Sequence, residues 1–208
     1  MPRRIKESPW KTFHVRPEDD KPVHEHYSSE ESKRYAESNA MRRIQRELTL
    51  RCLDLARFPL NSRVLDAGCG TGFSLEVLKE VGYKKIAGFD AVPSLLEFAK
   101  KKGFRVKQGD LRDIPFSDRS FDAIVSVSVL QWILAQNPEQ NAAKAASEFW
   151  RVLSPKGIAV IQFYPRSEEE AMLAAQAFRA KGFKTTLVTD NPDNPRKRKV
   201  FVLLKRAG

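Results

Sequence analysis

The chain has 208 residues, 41% of them hydrophobic, enough to bury one core and leave a small N-terminal addition. Lysine and arginine total 37 against 26 acidic residues, so the formal charge is +11, and the one-sided excess favours a polyanionic partner over a merely heat-adapted surface. No apolar run reaches membrane-spanning length and the N-terminus has no signal-peptide core, which reads against a membrane or secreted protein and for a cytoplasmic one.

In chain order, residues 1–27 combine proline, charge and histidine with the isolated aromatics Trp10 and Phe13. That is the pattern of an arm that orders only against another surface, here expected to be the cofactor or substrate cleft. His24 and His26 form a close pair without an evident third ligand, and no zinc-type cysteine cluster exists, so no metal is expected. Ser28-Ser29-Glu30-Glu31 opens a helix in capping fashion. Tyr35, Met41, Ile44, Leu48, Cys52 and Leu55 then recur near a 3.6-residue period, predicting one or two amphipathic helices before Pro59.

From Arg63 onward strands and helices alternate: strand 63–67, helix 72–81, strand 85–89, helix 93–102 and strand 104–108. Strand 121–127, helix 139–153, strand 157–163, helix 167–181 and strands 183–189 and 199–205 follow. Such alternation predicts a parallel sheet with helices on both faces. Between the last two strands, Asp190-Asn191-Pro192-Asp193-Asn194-Pro195-Arg196-Lys197-Arg198 is turn-rich and too short for a crossover helix, so those strands must pair antiparallel.

The segment Val64-Leu65-Asp66-Ala67-Gly68-Cys69-Gly70-Thr71-Gly72 runs from a buried strand into three alternating glycines and then into a helix. Bare backbone at a helix N-terminus lets a nucleotide-type ligand approach closely. Asp90 ends the next strand, where a carboxylate can accept from both hydroxyls of a ribose, and Asp110-Leu111 follows the third strand, suited to the edge of an adenine. One such aspartate is as readily a helix or turn cap, but three in this order with the glycine loop are a strong signal. Cys52 and Cys69, in a predicted helix and in the loop, read as small buried residues rather than a disulfide.

On these features the chain resembles the class I S-adenosylmethionine-dependent methyltransferases: Gly68-Cys69-Gly70-Thr71-Gly72 is similar to their glycine motif and the closing hairpin to their seventh strand. The resemblance implies an α/β, Rossmann-like fold: a seven-stranded, mostly parallel sheet with an antiparallel last strand and helices on both faces. It divides the chain into an arm (1–27) and a methyltransferase domain (28–208), with helices in 28–58 and the core in 63–205. It implies S-adenosyl-L-methionine as cofactor, held by Asp66, Gly68, Cys69, Gly70, Gly72, Asp90, Ala91, Asp110, Leu111, Ser126 and Tyr35.

A narrower resemblance rests on Ser126-Val127-Ser128-Val129-Leu130-Gln131-Trp132-Ile133, Gln162-Phe163-Tyr164-Pro165, the stretch from Gly182-Phe183 to Lys199-Val200-Phe201, and Arg16-Pro17-Glu18, Tyr27, Tyr35, Met41 and Ile44-Gln45. This pattern is similar to the small-subunit ribosomal RNA (guanine-N7) methyltransferases, which implies a role in ribosome assembly beside a small zinc-binding activator protein. The expected substrate is small-subunit ribosomal RNA or a pre-ribosomal particle.

The residues bear on the chemistry as well. Methyltransferases acting on exocyclic amines usually carry Asn or Asp, two prolines and an aromatic after strand four, where this chain has Ser126-Val127-Ser128-Val129. Guanine N7 offers an unprotonated lone pair in the ring plane, so no general acid or base is required, and alignment is enough. Trp132 and Tyr164 are stacking candidates at the carboxyl edge of the sheet, although Trp132 serves equally as a core aromatic; Phe163 reads as core. Gln131 suits the guanine edge or a cap. Strand 104–108 is expected at the sheet edge, where Arg105 and Lys107 either guard it or flank a docked strand of the activator. Two other functions fit the same residues: a methyltransferase for tRNA or a small molecule, and a non-catalytic factor that binds pre-ribosomal RNA.

Overall fold

A computed structural model describes residues 16–206, so Trp10 and Phe13 lie outside the described residues. Seven strands form the sheet: β1 (Arg63–Ala67), β2 (Lys85–Asp90), β3 (Val106–Gln108), β4 (Phe121–Val127), β5 (Leu153–Phe163), β6 (Phe183–Asp190) and β7 (Lys199–Arg206). Their order is β3-β2-β1-β4-β5-β7-β6. The first five strands pair parallel, and β7 inserts antiparallel between β5 and β6. This is the predicted class I methyltransferase topology, with the antiparallel hairpin where the short connection requires it.

Strand side chains alternate between two buried faces, as a sheet covered on both sides demands. Leu65, Ile124, Ile161 and Phe163 point toward α8 (Pro138–Val152) and α9 (Glu168–Lys181), joining Phe149 and Phe178. Val64, Val125 and Val160 point the other way, toward Leu48 and Cys52 of α4 (Asn39–Ala56) and Leu75 and Leu78 of α5 (Phe73–Val81). Each buried aliphatic or aromatic side chain contributes about 1.5–3 kcal/mol relative to exposure. Both cysteines are buried and unpaired, and burial pushes each thiol pKa upward, which keeps them inert.

The N-terminal helical region resolves into two helices, α3 (Ser29–Glu37) and α4. The side chain of Ser28 accepts from the Glu31 backbone N–H, and that of Ser38 accepts from Met41, so each helix has its own cap. Ahead of them lie two single turns, α1 (Pro17–Asp20) and α2 (Val23–His26).

Three boundaries depart from expectation. Strand β3 is shorter than 104–108 because the Phe104 N–H closes the end of α6 (Pro93–Lys101) on Ala99, so pairing to β2 starts at the Arg105 carbonyl. Strand β5 begins already at Leu153, which pairs with Phe121 before a register shift. The short α7 (Leu130–Leu134) follows Ser128, whose φ of 62° turns the chain out of β4; its apolar residues continue the strand's composition, so hydropathy hid the break.

Candidate active site

A cavity of about 600 Å³ opens at the carboxyl ends of the parallel strands, where open α/β sheets bind ligands. Its floor is the glycine turn between β1 and α5. Gly68, Gly70 and Gly72 all have positive φ, at 86°, 49° and 86°. They nevertheless serve different ends. A Cβ on Gly68 would stand 2.3 Å from Val129 and one on Gly72 3.2 Å from Phe104, whereas one on Gly70 would meet only Leu95 at 4.0 Å. Gly68 and Gly72 are small because the protein packs on them; Gly70 leaves its space to the cavity.

Asp90, at the end of β2, braces this turn: its carboxylate accepts from the Gly70 N–H at 2.8 Å and the Val92 N–H at 2.9 Å. Burial pushes its pKa up to about 6, against the lowering effect of those backbone donors. Lone pairs remain for a ligand's hydroxyls. Asp66 is different. Among the described residues neither of its carboxyl oxygens has a hydrogen-bond partner, and burial, with the Asp90 charge second, pushes its pKa up to about 8.

Most of the predicted cofactor residues converge on the cavity: Gly68, Cys69, Gly70, Asp90, Ala91, Asp110, Leu111 and Tyr35 line it. Asp66, Gly72 and Ser126 do not. Asp66 sits behind the turn, Gly72 is the cap of α5 packed on Ala99 and Phe104, and the buried Ser126 hydroxyl donates to the Ala67 carbonyl at 2.7 Å. Asp110 stands in the wall already engaged, with Arg112 bonding its two oxygens at 2.6 and 2.8 Å, so an adenine amine would share that carboxylate.

The stacking candidates also line the cavity, each with company. Trp132 is half-buried and tilted against Tyr27 and His26, with centroids 5.9 and 5.4 Å away. Tyr27 meets Tyr35 edge-on at 5.7 Å, and burial pushes both phenols upward. Lys199 lies over the Tyr164 ring, 4.9 Å from its centroid and 3.3 Å from its hydroxyl, so that face is covered by a cation rather than open to a base. Gln131 is 5% exposed; its amide N–H donates to Ser128 O at 2.9 Å and its Oε1 has no partner among the described residues. Phe163 is fully buried in the core.

Several wall residues were not singled out from spacing. Arg16 donates to the carbonyls of Tyr164 (2.6 Å) and Pro165 (3.1 Å), tying the segment before α1 to the end of β5. Tyr27, Arg196, Arg198 and Lys199 complete the wall. Arg16, Tyr27 and Lys199 stood only among the residues that carry the family resemblance, and Arg196 and Arg198 only in a turn-rich basic stretch, neither of which gave them a place in a wall. Residues 16, 164 and 199 meet only through the folded sheet.

A methyltransferase domain family matches residues 65–161. The chain is 33% identical over 190 residues to the 18S rRNA (guanine(1575)-N(7))-methyltransferase of Saccharomyces cerevisiae, covering 86% of this chain and 68% of that one. It is also 33% identical over 203 residues to the 18S rRNA (guanine-N(7))-methyltransferase of Bos taurus, covering 91% and 70%. Among solved structures, the Haloferax volcanii complex of the Trm112 methyltransferase activator with a putative methyltransferase superposes with a TM-score of 0.66 at 18% identity, over 88% of this chain and 98% of that one. That likeness is one of fold. By sequence, the chain belongs to the 18S rRNA (guanine-N(7))-methyltransferase family.

Proposed function

We propose that this protein transfers the methyl group of S-adenosylmethionine to N7 of a guanosine in small-subunit ribosomal RNA, during ribosome assembly. The observation that carries the proposal is the junction in one cavity of two halves: Gly70 braced by buried Asp90, and an aromatic slot that presents the unpartnered Gln131 Oε1. Relatives bearing the guanine-N7 name align over 86–93% of the chain. The space above Gly70 and the spare acceptor capacity of Asp90 fit an adenosine ribose, with Cys69, Ala91 and Leu111 in the adjoining wall.

When bound, S-adenosylmethionine supplies an electrophilic methyl on a sulfonium. The chain's own work is placement. Guanine N7 carries no proton, so no side chain has to take one up, and holding base and donor in line is the main source of acceleration. Gln131 Oε1 would accept from the guanine N1–H or its amino group, an arrangement that adenine, with no N1–H, satisfies poorly. Trp132, and Tyr164 once Lys199 leaves its face, would confine the ring plane, each stacked base being worth about 1–3 kcal/mol. The tyrosine-rich cover from residues 16–35 would exclude water.

Mapping N7-methylguanosine in small-subunit RNA by borohydride–aniline cleavage, with and without the protein, tests this. Cleavage at one guanosine should require the wild-type chain and disappear with Asp90→Ala. Equal cleavage without the protein, or faster methyl transfer to tRNA, would overturn it.

A second element concerns the sheet edge. Among the described residues strand β3 pairs with β2 alone, leaving its outer side open, and Arg105 and Lys107 flank a neighbouring basic recess. In our reading this edge receives a strand from a small zinc-binding activator. Support comes from the Haloferax volcanii neighbour, whose structure contains the Trm112 activator. Co-expression should raise yield and cofactor affinity; a protein equally stable and active alone counts against it.

A further inference from the structure

The cavity is electrically divided. Asp90 ends β2 and Asp110 follows β3, while Lys199 begins β7, and Arg196 and Arg198 precede it on the far side of the sheet. At roughly 4.8 Å per strand, β2 and β7 are about 19 Å apart in the sheet order. S-adenosylmethionine carries one carboxylate against an ammonium and a sulfonium, so it is a net cation. A second concentration of positive charge is not what such a ligand requires.

Two of these cations are kept available by the fold. Lys199 stands directly opposite Asp190 in the β6–β7 ladder, the natural place for a cross-strand ion pair. That pair does not form. Arg51 of α4 takes Asp190 instead, with Nε and a terminal nitrogen at 2.9 and 3.0 Å from its two oxygens. The Lys199 ammonium turns to Tyr164 and makes no ion pair among the described residues. The exposed guanidinium of Arg196 has no hydrogen bond or ion pair there either, while Arg198 is buried and bonded to the Pro192 carbonyl, shaping the loop that presents its neighbours.

We infer that Arg196 and Lys199 hold a backbone phosphate of the RNA beside the target guanosine, making the β6–β7 loop the substrate clamp; this rests on the RNA methyltransferase reading above. A phosphate at the mouth fixes the nucleotide from its sugar side while Gln131 and the aromatics hold the base. An ammonium drawn to that phosphate also leaves the Tyr164 ring open for stacking. The clamp carries no sequence information, which is left to the base pocket.

The test measures binding of a small-subunit RNA oligonucleotide to the full chain by fluorescence anisotropy across a salt series, beside calorimetric titration of S-adenosylmethionine. For the Arg196→Ala/Lys199→Gln variant, the slope of log affinity against log salt should become shallower by about 0.7 for each phosphate no longer neutralised, with RNA affinity roughly tenfold weaker and cofactor affinity unchanged. Lys199→Arg should keep most of the slope. An unchanged slope in a variant whose parent methylates RNA overturns the clamp and leaves the proposed function standing. Weakened cofactor affinity also overturns it, since the cations would then serve the methionine carboxylate. A wild-type chain that neither binds nor methylates RNA overturns both.

Discussion

Asp66 and Asp90 are both buried carboxyls with raised pKa values, and they differ in what satisfies them. Asp90 has two backbone donors and faces the cavity; Asp66 has none. With a folded pKa near 8 against an ordinary value of 3.8, the native Asp66 retains a proton that the unfolded chain has released. Its contribution to stability is therefore full below about pH 4 and fades as pH climbs toward 8. Asp66→Asn removes the burden, so its melting temperature should exceed the parent's by far more at pH 8.5 than near pH 5; a variant less stable at both values would point to a hydrogen-bond partner for the Asp66 carboxyl. Asp90 must be ionised to accept from two hydroxyls, and its pKa of about 6 sets the window. Cofactor affinity measured calorimetrically should fall between pH 7.5 and 5.5. Asp90→Ala should cost about 1.5–3 kcal/mol, some tenfold to hundredfold in affinity. These aspartates were legible because each lies at the carboxyl end of a strand at a set distance from the glycines. The free carbonyl of Gln131 was not, since it depends on the left-handed turn at Ser128 that aims the neighbouring amide at its own backbone.

At the scale of elements, the glycine turn separates packing from binding. Gly68→Ala drives a methyl into Val129 at a positive φ, and should lower stability by about 2–4 kcal/mol in a denaturant titration. Gly70→Ala meets open space, so only the backbone strain of about 1 kcal/mol applies, yet the methyl occupies room the ribose needs. Calorimetry should find cofactor affinity reduced far more than the melting temperature. Equal losses in both variants would remove the distinction. Periodicity located the long helices and the buried strands because their apolar spacing is regular over many residues. It missed α7 and overextended β3, where a single left-handed residue or one helix-closing amide, rather than composition, decides the boundary.

At the scale of the molecule, the parallel sheet followed from alternation and the antiparallel final pair from a short connection, whereas the cavity wall did not. Arg16, Tyr164 and Lys199 become neighbours only once the sheet is complete, and no local pattern encodes that. The same long-range wiring makes Arg51 a remote positioning residue. Arg51→Ala should release Asp190 to pair with Lys199 and flatten the salt dependence of RNA binding, and the Arg51→Ala/Asp190→Asn double variant should restore it; failure of that rescue would confine Arg51 to a structural part. The placement of β7 between β5 and β6 has a temporal consequence. Emerging from the translating ribosome, the chain must leave β5 with an open side and β6 without a strand to pair with until β7 appears. The catalyst is thus assembled in one late stroke, and a nascent chain paused before Lys199 offers exposed ladders to chaperones instead of a working pocket.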